Sequence, residues 1–131
     1  MKSEHLEKVK GYLLEMGHDI VTENEEDGLF VITNTDSGLV NTMLECEGEI
    51  LVIEQHVLDL ADGNTGAYKR LLQMNREVVH GAFVLTEEGD KLLFRDTLQL
   101  ENLDSNELEG SLNALAMALV ENTDELLSWA N

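Results

Sequence analysis

The chain has 131 residues, of which 43% are hydrophobic and 5% aromatic, so its length suits one domain with a mainly aliphatic core. Its 27 Asp and Glu residues against eight Lys and Arg give a formal net charge of −19. This charge repels phosphate backbones and anionic lipid headgroups, so nucleic-acid and membrane-surface partners are not expected. Basic or amphipathic peptide partners are compatible with it, and so is a role of the charge in solubility alone.

Cysteine content and the N-terminal residues bear on the cellular compartment. Cys46 is the only cysteine, so the chain cannot form an internal disulfide, and in a predicted strand this residue is expected to be small, apolar and buried. The first residues contain no apolar signal-peptide segment, and no stretch approaches the roughly 18 apolar residues of a membrane span. We therefore predict a single cytoplasmic domain over residues 1–131, with no linker, repeat or domain boundary.

The N-terminal half is predicted to be one helix followed by strands. The helix runs from about Ser3 to Met16, since apolar residues recur at steps of three and four, and Ser3 and Gly17 are its expected N-cap and C-terminal stop. Turn residues then separate four segments with strand patterns: Asp19–Thr22, Leu29–Thr33, Leu39–Cys46 and Glu49–Leu58. Because the turns between them are short, they predict an antiparallel meander.

In the C-terminal half, a loop leads into a second helix, which is capped by Asn64 or Thr65 and predicted to end near Glu77. A hairpin follows, and Thr97–Leu100 is a candidate extension of its second strand. The two strands of this hairpin are Gly81–Leu85 and Lys91–Asp96.

The last helix is the longest, and it is predicted to start at Asp104, because Glu107 three residues later completes a capping box. A restart is expected near Thr123. From Asp96 onward there are eight acids and no Lys or Arg, so the C-terminal end of this helix gains nothing from the macrodipole, and a purely structural helix would not need that arrangement. The predicted order is α-β-β-β(β)-α-β-β-α, and the predicted fold class is α+β, an antiparallel sheet flanked by helices.

No combination of residues predicts a metal site. The four histidines lie in different predicted elements and lack the spacing of a structural zinc site: His5, His18, His56 and His80. The segment Asp59–Asn64 has the outline of a calcium loop, but Ala61 and Gly63 stand where oxygen ligands are needed. A turn that leads into a helix explains this segment better.

Enzymatic activity is not expected either. The chain has no G-x-S-x-G, P-loop or G-x-G-x-x-G motif, and most of its acids lie in predicted turns or on outward helix faces. Glu45 and Glu47 flank Cys46, and their negative charge disfavours the thiolate that a nucleophilic cysteine needs. We therefore expect no catalytic residue, no metal and no cofactor. The alternative that stays open is a small-molecule or metal sensor that uses His56, His80 and nearby acids.

Apolar residues occur on both faces of the predicted strands. One interpretation is that the helices cover both faces of the sheet, and the other is that one face carries an apolar strip that contacts a partner or a second copy. Under the second interpretation, the candidate partner-binding residues are Leu39, Met43, Leu51 and Ile53. Replacing Leu51 and Ile53 with Ser is then expected to weaken association and leave the fold intact.

Segments of the C-terminal half resemble the YbjN family of bacterial proteins. These segments are Leu71–Glu77, Gly81–Leu85, Gly89-Asp90, Leu92–Arg95 and Leu98–Leu103. The resemblance covers roughly residues 65–130, and the N-terminal half agrees in pattern alone. It implies the fold of type III secretion chaperones, which are small, acidic and commonly dimeric, with no established active site to carry over. It further implies a chaperone-like or adaptor domain, homodimeric, that binds a protein or peptide partner along the sheet or the first helix.

Overall fold

Within residues 2–61 and 65–131, the part of the chain that the computed structural model describes, strands and helices follow the predicted order. The helices are α1 (Lys2–Glu15), α2 (Thr65–Asn75), α3 (Ser105–Glu121) and α4 (Thr123–Leu127). The strands are β1 (Asp19–Asn24), β2 (Leu29–Asn34), β3 (Leu39–Glu47), β4 (Ile50–Asp59), β5 (Ala82–Leu85) and β6 (Lys91–Gln99). The predicted α+β class is confirmed, and so is the extension of the last strand, which reaches Gln99.

Helix ends match their sequence signals where the structure describes them. Gly17 follows α1 with φ +82°, a left-handed conformation that favours glycine and stops the helix. The Asp104 side chain accepts a hydrogen bond from the Glu107 amide at 2.8 Å, so this residue is the N-cap of α3, as predicted. The predicted caps that involve the side chains of Ser3, Asn64 and Thr65 lie outside the described residues.

The six strands form one antiparallel sheet in the order β1-β2-β3-β4-β6-β5. The first four strands make the predicted meander, and the later hairpin joins it through β6, which pairs with β4 from Ile50↔Gln99 to Asp59↔Lys91. Strands β1 and β5 are therefore the two edges of the sheet.

The hydrophobic core lies between the helices and one face of the sheet, which we call the inner face. Cross-strand partners share a face, so the pairings Leu44↔Ile53 and Cys46↔Leu51 put these four side chains together. They are buried in one cluster with apolar side chains of α1, α2, α3 and α4. Cys46 is thus the small buried residue that its sequence context predicted. Tyr12 of α1 ties this layer together by donating its hydroxyl to the carbonyl of Leu103 at 3.3 Å.

The opposite face of the sheet, which we call the outer face, carries apolar side chains that do not belong to the core cluster. Pairing runs across it through Val31↔Met43 and Leu93↔Val84, and Val52 lies in the row between Glu45 and Thr97. Val52 is buried, Ile50 at the start of β4 is exposed, and the other apolar residues on this face are half-buried. The outer-face apolar residues are Leu29, Val31, Met43, Ile50, Val52, Ala82, Val84 and Leu93.

Two breaks in strand alternation change which residues share a face. Asn41 has φ +51°, and the β2–β3 register shifts beside it, so Leu39 joins the buried inner face. A bulge between His56 and Leu58 likewise returns Leu58 to the core. A strict two-residue period therefore assigns the wrong face to the residues at the open end of the β3–β4 pair, where β3 starts and β4 ends.

Candidate functional site

The four residues predicted to bind a partner do not form one surface. Leu39, Leu51 and Ile53 are buried in the core, each at 2% exposure or less, and Met43 alone is half-buried on the outer face. Met43 pairs with Glu54, whereas Ile53 pairs with Leu44, so alternation along β3 and β4 separates them. Of these four residues, Met43 is the one whose side chain is accessible to a partner of the folded domain. A role of the other three residues in binding stays a prediction.

The expectation that Leu51 and Ile53 can be replaced without cost to the fold is wrong. Both side chains lie at the centre of the inner face, packed against the helices. A buried Leu or Ile that is cut back to a small polar residue lowers the free energy of unfolding by about 2–5 kcal/mol. The double replacement would unfold a domain of ordinary stability, so association has to be tested at exposed positions.

The outer face has a charged pair beside its apolar residues. Arg95 Nη1 lies 3.2 Å from Glu54 Oε2, and these residues face each other across β4 and β6 in the row that also contains Met43. An ion pair at this exposure contributes little to stability. The outer face is therefore a half-buried apolar strip with one acid and one base in its middle row.

The two histidines of the sensor alternative have different surroundings. His56 Nε2 donates to Asp59 Oδ1 at 2.8 Å, and this bond, followed by the contact with Lys91, lowers the pKa of Asp59. His80 instead lies against Gly110 of α3, where its Nε2 would be 3.5 Å from an added Cβ. In the described part of the chain, no group of three or more His, Cys, Asp or Glu side chains is placed to hold a metal ion. Residues 62–64 of the segment with the outline of a calcium loop lie outside that part.

A second apolar surface, which the sequence did not single out, lies where the end of α2 meets α3. We call it the α2–α3 groove, a cavity of about 450 Å³. Its apolar lining is Met74, Val78, Val79, Ala114, Met117 and Ala118. Glu77 and Glu121 also line it, and the acidic C-terminal end of α3 was the one signal of this groove in the sequence.

No helix in the described residues is both long and apolar enough to cross a membrane.

Several side chains that a core would normally bury are instead in contact with solvent, among them Leu72, Val79, Met117 and Val120. Contiguous exposed apolar surface usually marks an interaction site. Of these four residues, Val79 and Met117 line the α2–α3 groove together, so the chemistry of this groove suits binding of a protein chain.

Solved structures share this fold at low sequence identity. YbjN from E. coli matches with a TM-score of 0.66 at 11% identity, over 92% of this chain and 92% of that chain. A chain of the HopA1–SchA chaperone–effector complex matches with a TM-score of 0.62 at 11% identity, over 97% and 95%. A chain from the Yersinia pestis type III secretion chaperone SycH in complex with a fragment of YscM2 matches with a TM-score of 0.52 at 15% identity, over 96% and 99%.

No curated protein sequence matches the chain at a significant level. The family model CesT_Tir_1, which describes type III chaperones, matches residues 2–131. That range spans all the helices and strands described above, and the structural matches agree with the fold that the YbjN resemblance implied. The chain belongs to the CesT_Tir_1 family.

Proposed function

We propose that this chain is a non-enzymatic, chaperone-like or adaptor domain that binds a protein partner through apolar surface bordered by acids. The observation that carries the proposal is membership of a type III chaperone family, together with apolar side chains that the core leaves at the surface. Two of the structures that share the fold are described as chaperone complexes, one with an effector and one with a fragment of YscM2.

The test is quantitative affinity capture from native extract with the wild-type domain and a heat-unfolded sample of the same protein as the background. A protein that is enriched on the folded domain alone, and that then forms a stoichiometric complex when both are purified, supports the proposal. If no protein is enriched over the unfolded background, the binding function is contradicted.

For the outer face we propose a second copy of this chain as the occupant. A two-fold contact would bury the half-exposed Met43 and Leu93 of both copies, and it would let Arg95 and Glu54 pair across the interface as well as within each copy. The high negative charge opposes such a contact, so we expect the dimer to strengthen as salt screens the repulsion.

Sedimentation equilibrium tests the dimer with Met43→Asp and with the control Leu127→Asp, which adds the same charge at an exposed position of α4. The wild type and the control are expected to dimerise, and Met43→Asp is expected to be monomeric at the same concentration. Equal association of all three proteins would exclude the outer face as the contact.

The alternative function, a small-molecule or metal sensor, is distinguished by thermal unfolding against a panel of divalent metals and metabolites. A ligand that binds only the folded state raises the melting temperature. A rise that is lost in His56→Gln or His80→Gln would favour the sensor, and a flat panel would count against it.

A further inference from the structure

We infer that the α2–α3 groove is the docking site for a basic amphipathic helix of a partner protein. This inference rests on the proposed protein-binding function and deepens it, since it names the site and the chemistry of the bound segment. The groove is separate from the outer face, because its residues come from the end of α2, the turn after it and α3.

The lining of the groove is apolar and exposed. Val79 is 85% exposed and Met117 is 55% exposed, and both line one groove rather than being scattered singly over the surface. Methionine side chains are flexible and polarisable, so Met117, with Met74 beneath it, can adapt to apolar side chains of different shape. The surface is thus suited to contact apolar side chains rather than a single rigid small molecule.

The charge of the groove selects a basic occupant. Glu77 and Glu121 line it, and within the described residues neither makes an ion pair. Glu121 is also the last residue of α3, where the helix macrodipole is negative and a cation is favoured. The side chains of Asn122 and Thr123 donate to carbonyls of the last turn, but neither side chain carries positive charge.

Among the described residues that line the groove there is no Lys or Arg, and the one basic side chain is His80; Arg76 precedes Glu77 but does not line the groove. Arg70 is paired with Glu125 of α4 at 2.7 Å, and no Lys or Arg occurs after Arg95 in the sequence. Within the described residues, the two carboxylates of the groove thus have no ion pair, and a bound segment can supply positive charge there. Lys or Arg residues at the polar edge of a bound helix would supply it.

The geometry favours a helix over an extended segment. The α3 residues of the groove, from Gly110 to Glu121, follow one helical stripe that is roughly 17 Å long at 1.5 Å per residue. Of the small residues in this stripe, Ala114 is half-buried and allows close approach of a second helix, whereas His80 covers Gly110 and Ala118 is buried in the core. The groove offers no strand edge, so an extended peptide would leave its backbone groups without partners, whereas a helix satisfies its own.

The experiment uses a fluorescein-labelled model peptide that has Leu at positions i, i+3, i+4 and i+7 and Lys elsewhere, titrated with the full domain by anisotropy. A scrambled peptide of the same composition has the same charge and no apolar stripe. We expect the striped peptide to bind at least about tenfold more tightly than the scrambled one, since apolar contacts in a groove dominate such interfaces. Equal binding of the two peptides would mean that general attraction by the acidic surface explains peptide binding. That result would overturn the inference.

A matched pair of variants locates the site. Met117→Lys and Val120→Lys add the same charge on the same helix at exposed positions, but Val120 does not line the groove. We expect roughly tenfold weaker binding of the striped peptide for Met117→Lys and less than about twofold change for Val120→Lys. Similar losses in both variants would overturn the inference, and circular dichroism with thermal unfolding checks that both remain folded.

The charge requirement has its own control. Glu77→Gln with Glu121→Gln removes two groove acids, and Glu107→Gln with Glu109→Gln removes two acids of α3 outside the groove. The first double variant is expected to weaken binding of the striped peptide more than the second double variant. Equal effects of the two double variants would contradict a local site. Two results together would exclude the groove as the docking site and leave the proposed function standing. Met117→Lys would capture from extract every protein that the wild type captures, and the striped peptide would bind Met117→Lys and Val120→Lys equally well.

Discussion

At the scale of single residues, the environment of His18 links the pH of the solution to stability. The ring is buried, and burial lowers the pKa of His18 below its ordinary value of 6.5. Its Nδ1 accepts a hydrogen bond from the Asn34 amide at 3.2 Å, and the Asn34 oxygen is already occupied by the Ser37 amide. These contacts fix the neutral ring with its proton on Nε2.

The sign of the effect follows from that lowered pKa. The unfolded chain protonates its histidine as the pH falls below about 6.5, while the folded state resists protonation until the pH reaches the lower folded value. The free energy of unfolding should therefore fall across this window, and His18→Gln should remove that part of the decrease. Urea unfolding at a series of pH values measures it, with the exposed His80→Gln as control. Identical pH profiles for the wild type and His18→Gln would contradict the assignment.

At the scale of secondary-structure elements, α2 protects the edge of the sheet at β5. The Asn75 side chain donates to the Phe83 carbonyl at 3.2 Å and accepts from the Phe83 amide at 2.7 Å. One side-chain amide thus satisfies the N–H and C=O of Phe83, which point away from β6, as a neighbouring strand would. At Phe83 the edge is therefore protected against pairing with a further strand.

Asn75→Ala should expose that edge. The loss of two hydrogen bonds at a partly buried position is expected to lower the free energy of unfolding by about 1–3 kcal/mol. The freed edge should also increase aggregation on heating, which light scattering during thermal unfolding detects. Gln73→Ala on the exposed side of the same helix is the control, and equal melting temperatures for the two variants would rule out the protective role.

The elements were predictable from the sequence, whereas the faces of the strands were not. Apolar periodicity, turn residues and the Asp104 cap are local signals, and each element was placed to within a few residues of its bounds. The positive φ of Asn41 and the bulge after His56 arise from pairing with distant strands. Because each break moves a side chain to the other face, a two-residue period puts Leu39 and Leu58 on the wrong face. Leu51, Ile53 and Met43 follow the period, but the β3–β4 register, which places Met43 opposite Glu54, decides which of them share a face. The groove was missed for a similar reason, since it joins residues about 40 positions apart.

At the scale of the whole molecule, the net charge of −19 is a source of repulsion that folding concentrates into a small volume. Dissolved salt should weaken this repulsion, because its ions screen the charges from one another. The melting temperature is expected to rise by several degrees as NaCl increases from about 0.01 M, where the Debye length is about 30 Å, to about 1 M, where it is about 3 Å. Differential scanning calorimetry measures the rise in melting temperature. The NaCl concentration is the only component of the buffer that is varied. A melting temperature that is independent of salt would show that the acids are spaced too widely to repel.

The sheet order also sets the sequence of events while the chain is being synthesised. Strands β1 to β4 each pair with the next strand along the chain, so the meander can assemble early. The other edge of β4 stays unpaired until β6 has been synthesised. The pairing partners of Ile50–Asp59 end at Gln99, 40 residues after Asp59. At roughly 5–20 residues per second, the ribosome takes about 2–8 s to supply them. For those seconds, the nascent domain displays the open edge of its central strand, with Leu51 and Ile53 not yet covered.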